Sequence, residues 1–258
     1  MRKAFALEKH IEELHKDGVT YIPNAYSSAS CKKYVAQAKK LAKTYARKGI
    51  VNLDNDSYNL SNYFRHEPSM LPLVIHPHAD EILKTLLNPT YVVINSNLIN
   101  RFRKTQLTSQ QEVKHAGHWH SDSRYLNGKR ISNGFTIIGI IMLEPFGEDN
   151  GATHYIPGSH DDVHNNYPDR YGDYKYKLIT GDAGTLVLFD SALWHRGGIA
   201  SDKRSRWSVY TIYGPSFVKP YFSFPDMLGK TYQKKYLDPM LRRLFHFDSM
   251  PQLNESKS

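Results

Sequence analysis

Three side chains of metal-binding type carry the first chemistry that the sequence suggests: His120, Asp122 and His195. Two imidazoles and one carboxylate form the ligand set of a facial non-haem Fe(II) site. In an extended segment, residues i and i+2 point to the same face, so His120 and Asp122 can both reach one ion. Three protein ligands leave other coordination positions open for a co-substrate and O₂. This arrangement favours an oxygenase over a structural metal site, whose coordination is usually closed.

The spacing alone does not identify the ligands, because His-x-Asp recurs by chance. Another such segment runs from His160 to Asp162. His118 is a further rival, since in an extended segment it shares a face with His120. We expect neither of these rivals to be a ligand. The same expectation holds for three other histidines, which are His115, His154 and His164.

The segments between the candidate ligands distinguish the His-x-Asp run at His120 from the one at His160. Residues 150–160 are NGATHYIPGSH, and residues 184–189 are GTLVLF. Together with the run at His120, they resemble the phytanoyl-CoA dioxygenase (PhyH) family of Fe(II)/2-oxoglutarate-dependent oxygenases, and the resemblance covers about residues 90–215. The family pattern continues with a distal histidine and, about eleven residues later, an arginine; His195 and Arg206 fit it. The resemblance implies Fe(II) as the metal and 2-oxoglutarate and O₂ as co-substrates.

The resemblance also implies that Arg206 holds the distal carboxylate of 2-oxoglutarate. A guanidinium binds a carboxylate bidentately and does not lose its charge. Gly197, Gly198 and the pair 201–202 predict a hairpin turn, which would place Arg206 on the strand beside His195. Ser208 lies two residues further on the same predicted strand face, where its hydroxyl is a candidate donor to the co-substrate.

Five more residues are candidates for the site, each with an alternative interpretation. Thr153 is a candidate for facing 2-oxoglutarate, although its segment also fits a purely structural loop and turn. Arg101 is a candidate substitute for a family lysine that contacts the co-substrate, with an ordinary strand-end cation as the alternative. Trp119, Tyr125 and Trp194 flank the ligands and are candidates for lining the substrate pocket, with packing of the barrel interior as the alternative.

Residue periodicity predicts the elements that must position these side chains. Apolar residues at helical spacing predict a helix at 7–17 and a helix of about five turns capped by residues 27–30. From residue 91 onward, β-branched residues between Gly and Pro turns predict many short strands, which is typical of a barrel or jelly roll. The predicted strands are 19–23, 91–100, 136–143, 177–180, 184–189 and 206–213. The other predicted helices are 68–87, interrupted near Pro77, and 229–246. No element is predicted for residues 50–65, which are polar and rich in turn-forming residues.

We therefore expect one domain over residues 1–258, mainly β with flanking helices. A chain of 258 residues is long enough for one full core and too short for two large ones. Its expected parts are a helical region at about 1–88, a β core at about 90–215 and a helical tail at about 229–258. The resemblance implies that the core is a double-stranded β-helix, the jelly-roll or cupin-like architecture, with helices buttressing one sheet.

Composition limits the cellular compartment and the binding partners that can be expected. Cys31 is the only cysteine, so an internal disulfide framework is excluded and a reducing, cytoplasmic setting is expected. No apolar run is long enough to span a membrane, and no signal-peptide apolar region is present at the N-terminus. The net charge of +9 is compatible with an acidic or carrier-bound substrate or with nucleic acid, but a lysine-rich solvated surface is the favoured interpretation. Nucleic acid is disfavoured, because the basic residues are spread along the chain without an aromatic-interleaved stripe.

The sequence therefore predicts a non-haem Fe(II)/2-oxoglutarate-dependent dioxygenase that hydroxylates a small organic substrate and forms succinate and CO₂. One alternative is a nucleic-acid demethylase with the same metal chemistry. Against it, such demethylases carry a second arginine six residues from the first, where this chain has Ala200 and Ile212. The other alternative is a non-catalytic, metal-binding jelly-roll module. Neither the substrate nor the oligomeric state is predicted.

Overall fold

Two antiparallel sheets face each other, and the larger one also packs against helices on its other face. The computed structural model describes residues 5–46, 52–53, 57–101, 117–122, 135–161, 172–198, 200 and 206–248. The strands are β1 (Val19–Ile22), β2 (Asn52–Leu53), β3 (Ser57–Ser61), β4 (Val92–Arg101), β5 (Ile137–Met142), β6 (His154–Tyr155), β7 (Lys177–Leu178), β8 (Leu186–Asp190), β9 (His195–Arg196) and β10 (Arg206–Gly214). The larger sheet has seven strands in the order β1-β8-β5-β10-β4-β3-β2, and the smaller has three in the order β7-β6-β9.

The middle of the larger sheet is buried on both faces. All six residues of β5 are buried, because one face of the sheet is covered by helices and the other by the smaller sheet. Strands covered on both faces have nearly continuous apolar sequences, as β5 does. The face toward the smaller sheet carries Ile138 and Ile140 of β5 and continues through Val187 and Phe189 of β8. This inner face is the wall against which the site is built.

Helices cover the outer face of the larger sheet and its ends. They are α1 (Leu7–Asp17), α2 (Ser28–Ala46), α3 (Pro77–Leu87), α4 (Phe224–Tyr236) and α5 (Pro239–Leu244), with short 3-10 helices at Tyr63–Arg65, Pro68–Leu73 and Ser159–Asp161. Their buried side chains form one large cluster with the outward-facing residues of the sheet, such as Trp207 and Val209 of β10. In the described part of the chain, no helix is long and apolar enough to cross a membrane.

The structure corrects the sequence-based prediction in three places. Residues 50–65 contain β2 and β3, which were missed because β3 buries only alternate residues and is polar at the others. The C-terminal helix predicted from residue 229 begins earlier, at Phe224; it is kinked at Gly229 and ends before Pro239, which opens α5. The first part of the predicted helix at 68–87 is a separate 3-10 helix.

The predicted hairpin between His195 and Arg206 was also wrong. β9 belongs to the smaller sheet and pairs with β6, whereas β10 belongs to the larger sheet and pairs with β4 and β5. The connection between β9 and β10 therefore crosses from one sheet to the other, as happens in a two-sheet jelly roll. As a result, His195 and Arg206 belong to opposite walls of the core rather than to adjacent strands of one sheet.

Candidate metal centre

The three predicted ligands come together at one end of the space between the sheets. One ligand atom from each of His120, Asp122 and His195 lies within 4.8 Å of the others. The Asp122 carboxylate lies 3.5 Å from His195 Nε2 through one oxygen and 3.8 Å from His120 Nε2 through the other. The two imidazole ring centroids are 4.4 Å apart. His195 is buried, whereas the side chains of His120 and Asp122 are partly open to solvent.

Backbone hydrogen bonds fix the relative positions of these ligands. His120 and His195 exchange two of them, with the nitrogen of each 3.0 and 2.9 Å from the oxygen of the other, in an antiparallel bridge. This bridge extends the smaller sheet by one more extended segment. The Asp122 nitrogen donates to the carbonyl oxygen of Ser191 at 2.8 Å, and that oxygen also accepts from the Ser121 hydroxyl. The i, i+2 geometry expected from the sequence is thereby held by hydrogen bonds to residues 191–195.

Each histidine ring is oriented by a hydrogen bond from its other nitrogen. His120 Nδ1 lies 2.9 Å from the His118 carbonyl oxygen, and His195 Nδ1 lies 2.9 Å from the Leu193 carbonyl oxygen. A carbonyl oxygen only accepts, so both Nδ1 atoms carry the proton and donate it. The Nε2 lone pairs are then directed toward Asp122. Such hydrogen bonds from the non-ligating nitrogen are usual around metal-binding histidines.

The electrostatic surroundings differ between the two histidines. Burial, together with the neighbouring His195, lowers the pKa of His120 below its ordinary value. Burial also acts to lower the pKa of His195, but Asp122 and the hydrogen bond to the Leu193 carbonyl oxygen together outweigh it, and the net shift is upward. The ligand set has one negative charge and two imidazoles that can be neutral. It therefore fits a divalent ion, which requires deprotonated ligands.

The rival histidines do not join this cluster. His118 is exposed and contributes only its carbonyl oxygen to the site, although its ring lies 5.6 Å from that of His120. His160 is buried in a 3-10 helix, and its Nε2 lies 3.1 Å from the carbonyl oxygen of His15, to which it donates. Among the described residues, the three predicted ligands are the only group that could hold a metal ion.

Arg206 lies within the core and has one unused nitrogen. Its Nε donates to the Asn150 carbonyl oxygen at 2.8 Å, and Nη2 donates to the Gly151 carbonyl oxygen. The guanidinium carbon lies 3.6 Å from the centroid of the Phe146 ring. Nη1 is buried without a hydrogen-bond partner. Burial lowers the pKa of Arg206, but a guanidinium remains charged at neutral pH. A buried cation with an unused donor fits an anionic carboxylate.

The other candidates for co-substrate binding lie near Arg206. Arg101 is its direct cross-strand partner, so both side chains belong to the inner face of the larger sheet. Ser208 follows on the same face, fully buried, with its hydroxyl 3.4 Å from the Ile99 carbonyl oxygen. Thr153 faces this group from the opposite wall, with its hydroxyl 3.4 Å from that of Tyr210.

The structure does not bring the two candidate tryptophans into the cavity beside the ligands. Trp119 is fully buried; its Nε1 donates to the Gly172 carbonyl oxygen at 3.1 Å, and the guanidinium of Arg196 lies 4.6 Å from its ring. Trp194 is buried as well and is absent from the cavity lining. Both tryptophans are next to a histidine ligand in the sequence, and alternation directs neighbouring side chains to opposite faces. Their placement fits the packing alternative. Tyr125 lies outside the described residues.

A cavity of about 520 Å³ opens beside the ligands. Sequence reasoning missed most of its walls; the one signal was the run of polar residues at 95–97 within β4, whose meaning depends on the facing wall. Its lining consists of His120, Ser121 and Asp122 with Asn95, Asn97 and Ile99 of β4, Ile138 of β5, Tyr210 and Ile212 of β10, and Tyr221.

The chain is similar to known proteins over most of its length. The family model described as phytanoyl-CoA dioxygenase (PhyH) matches residues 14–207. Dioxygenase af480 of Aspergillus fumigatus is 26% identical over 178 residues, which make up 67% of this chain. The chain spans about half of that relative, since the match covers 53% of its length.

Solved structures share the fold at low sequence identity. One is HygX from Streptomyces hygroscopicus, with nickel, 2-oxoglutarate and hygromycin B bound. The structural match covers 86% of this chain and 94% of the HygX chain, with a TM-score of 0.64 and 13% sequence identity. Another is the non-haem α-ketoglutarate-dependent carbocyclase SnoK from nogalamycin biosynthesis. This match covers 81% of this chain and 84% of the SnoK chain, with a TM-score of 0.63 and 16% sequence identity. These matches confirm the predicted fold class, a jelly-roll core with flanking helices.

Proposed function

The chain belongs to the phytanoyl-CoA dioxygenase family, and from that premise we propose that it is an Fe(II)/2-oxoglutarate-dependent dioxygenase that hydroxylates a small organic substrate. The observation that carries the proposal is the convergence of His120, Asp122 and His195 within 4.8 Å of one another. When iron is bound, it supplies the redox chemistry by which O₂ oxidises 2-oxoglutarate to succinate and CO₂ and the substrate to its hydroxylated product.

The protein contributes binding, orientation and exclusion of water. His120 and His195 present neutral Nε2 atoms, because each Nδ1 donates its proton to a backbone carbonyl oxygen. Asp122 adds one negative charge, which offsets part of the charge of a divalent ion. Arg206 offers a buried cationic donor to the far carboxylate of 2-oxoglutarate, with Ser208, Thr153 and Arg101 as its neighbours.

Burial makes Arg206 suitable for this role. A guanidinium with one unused nitrogen in the core leaves a donor unsatisfied, which costs about 1–3 kcal/mol when no partner arrives. A carboxylate restores the lost hydrogen bond and neutralises the charge. Two backbone carbonyl oxygens and the Phe146 ring hold the planar group in place before the co-substrate binds, so little rotational freedom remains to be lost.

The substrate belongs in the cavity beside the ligands. Its volume of about 520 Å³ is in the usual range for small-molecule pockets. HygX, which shares the fold, has been crystallised with the small molecule hygromycin B. The net charge of +9 also allows an acidic or carrier-bound substrate, whose anionic part would then lie outside the described cavity lining.

The experiment that tests this function combines metal binding with product analysis. The full chain, stripped of metal and titrated with Fe(II) without O₂, is expected to bind one ion. On addition of 2-oxoglutarate and O₂, it is expected to form succinate slowly even without substrate. If the protein binds Fe(II) but forms no succinate, with or without candidate substrates, it is a metal-binding module rather than a dioxygenase. If it binds no divalent ion, the proposed centre is wrong.

A further inference from the structure

An unpartnered asparagine lies in the cavity wall opposite the metal ligands. Asn95 is only 6% exposed, and its amide oxygen is buried without a hydrogen-bond partner. Asn97, two residues along β4, lines the same cavity, and its amide oxygen also has no partner. Residues i and i+2 of a strand share a face, so the two amides are roughly 7 Å apart on one wall.

These amides lie on the substrate side of the site rather than on the co-substrate side. Arg206, at the start of β10, pairs with Arg101, whereas Asn95 pairs with Ile212, six residues further along β10. Six residues of strand span about 20 Å. The five-carbon chain of 2-oxoglutarate is much shorter than that distance, so a molecule held by Arg206 leaves Asn95 to another ligand.

The remaining walls of the cavity limit what that ligand can be. Ile138 and Ile212 form an apolar wall next to the amides, and Tyr221, 56% exposed, lies at the edge. Asp122 is the only carboxylate in the described lining, and no lysine or arginine occurs in that lining. A carboxylate or phosphate of a substrate would therefore meet no cation among these residues. The described walls suit a neutral group.

Burial of an apolar chain against Asn95 is also disfavoured. A buried amide without a partner costs about 1–3 kcal/mol, and an alkyl chain would exclude the water that could satisfy it. A group rich in hydroxyls supplies both donors to the amide oxygen and acceptors to the amide NH₂. A carbon ring bearing hydroxyls also has an apolar face for the isoleucines and for the ring of Tyr221.

Polar side chains continue from this wall into a second cavity. Ser61 and Asn59 of β3 are the cross-strand partners of Asn97 and Ile99, and both line a neighbouring cavity of about 600 Å³. Phe222 lines that cavity and directly follows Tyr221. The inner face of β3–β4 thus extends the hydrogen-bonding surface away from the metal ligands.

We infer that the substrate presents a neutral, polyhydroxylated ring to the metal centre and that Asn95 and Asn97 bind its hydroxyl groups. The inference rests on the proposed function, since it names the substrate class of the same site. Asn95 is a binding residue in this scheme and takes no part in metal or 2-oxoglutarate binding. The substitution of its amide is expected to weaken substrate binding.

The test is direct binding of simple probes to the full chain by saturation-transfer NMR. The probes are myo-inositol and methyl α-D-glucopyranoside as neutral polyols and decanoyl-CoA as an acyl compound. Each is measured with the metal-free protein and with protein given Zn²⁺ and 2-oxoglutarate, so that no turnover occurs. At least one polyol is expected to bind. In Asn95→Leu, which keeps the side-chain shape, its Kd is expected to rise roughly tenfold, about 1.4 kcal/mol.

Two further variants separate recognition from folding. Asn100→Leu is the matched control, because Asn100 lies on the same strand but points to the opposite face; polyol binding is expected to persist in it. Asn95→Asp keeps an acceptor and loses the NH₂ donor, so an intermediate Kd is expected. Thermal unfolding of each variant shows whether it is folded.

The outcomes distinguish this inference from the proposed function. Failure of both polyols to bind, unchanged binding in Asn95→Leu, or equal loss in Asn100→Leu would each overturn the inference. A protein that forms succinate but binds only decanoyl-CoA would overturn it and leave the proposed function intact. Polyol binding through Asn95 in a protein that forms no succinate would support the polyol site and refute the dioxygenase.

Discussion

The His-x-Asp pattern occurs five times in this chain, and the copies that begin at His120 and His160 differ in what the histidine nitrogens contact. At His120 the segment is extended, Nδ1 donates to a backbone carbonyl oxygen two residues earlier, and Nε2 faces Asp122. His160 itself lies in the 3-10 helix Ser159–Asp161, and its Nε2 donates to the carbonyl oxygen of His15 in α1. The Nε2 atom of His120 therefore offers a lone pair to an ion. The Nε2 atom of His160 instead carries a proton, which it donates to a backbone carbonyl oxygen.

The difference shows that the surroundings, rather than the pattern, make a ligand. His120 is bridged by backbone hydrogen bonds to His195, the third proposed ligand, on a strand of the smaller sheet. His160 lies against the C-terminal end of α1, where a Cβ on Gly18 would approach its Nδ1 to 2.6 Å. The first histidine is placed for binding, and the second holds a helix against the sheet. The following substitutions separate these two roles.

The largest effect is expected from removal of a ligand on the binding side of this comparison. His195→Ala removes the most buried of the three proposed ligands and leaves two. The variant is therefore expected to lose stoichiometric Fe(II) binding, and its rate of succinate formation is expected to fall at least about 100-fold. Metal content by atomic emission and succinate by mass spectrometry measure both. His160→Ala is the matched control and is expected to keep the ion. Loss of metal in His160→Ala with retention in His195→Ala would reverse the assignment.

The second effect concerns the two arginines that face each other across β4 and β10. Arg206→Ala removes a buried charge-assisted hydrogen bond of roughly 1.5–3 kcal/mol, so the KM for 2-oxoglutarate is expected to rise roughly tenfold or more. Arg101→Ala is expected to change it less, because Arg206 is the more buried of the two and is held by Asn150 and Gly151. Steady-state succinate formation at varied 2-oxoglutarate measures both. A larger effect at Arg101 would make that residue the principal carboxylate-binding group.

A smaller effect is expected from the loop that orients Arg206. Gly151 has φ +78°, and a Cβ there would lie 2.9 Å from the Gly198 carbonyl oxygen. Gly151→Ala adds strain of about 1–2 kcal/mol and displaces the carbonyl group that accepts from Arg206, so a rise of roughly two- to fivefold in KM is expected. Gly147→Ala is the control, because nothing lies within 4 Å of its Cβ position and its φ is not positive. An equal change in both variants would rule out an effect through Arg206.

The elements that the sequence predicted well are those with a strong local signal. The apolar strand at β5 and the amphipathic helix α1 were found because their periodicity is uninterrupted. β3 was missed because a strand that is polar on its inner face has too few apolar residues to be distinguished from a loop. The crossing of β9 and β10 into different sheets depends on long-range pairing, which the Gly-rich turn signal between them does not encode.

The candidate site shows the same division. The ligand types, their spacing and the intervening motifs identified His120, Asp122 and His195, which the structure brings together. The roles of Trp119 and Trp194 could not be read from the sequence, since adjacency to a ligand places a side chain on the opposite face of the strand. Asn95 and Asn97 went unnoticed because polar residues in a strand acquire meaning only when the facing wall is known.

The smallest effect on activity, and a clear effect on stability, is expected at His160. His160→Ala removes the hydrogen bond to His15 and leaves a small cavity beside Gly18, so the free energy of unfolding is expected to fall by about 2 kcal/mol. For a chain of this size that lowers Tm by roughly 4–8 °C. Fe(II) binding and the KM for 2-oxoglutarate are expected to stay at wild-type values. His160→Gln retains a side-chain donor and is expected to recover part of the lost stability. Calorimetry of the wild type and the two variants measures Tm, and anaerobic Fe(II) titration measures metal binding. If His160→Ala had an unchanged Tm but bound Fe(II) more weakly, His160 would contribute to metal binding rather than to stability.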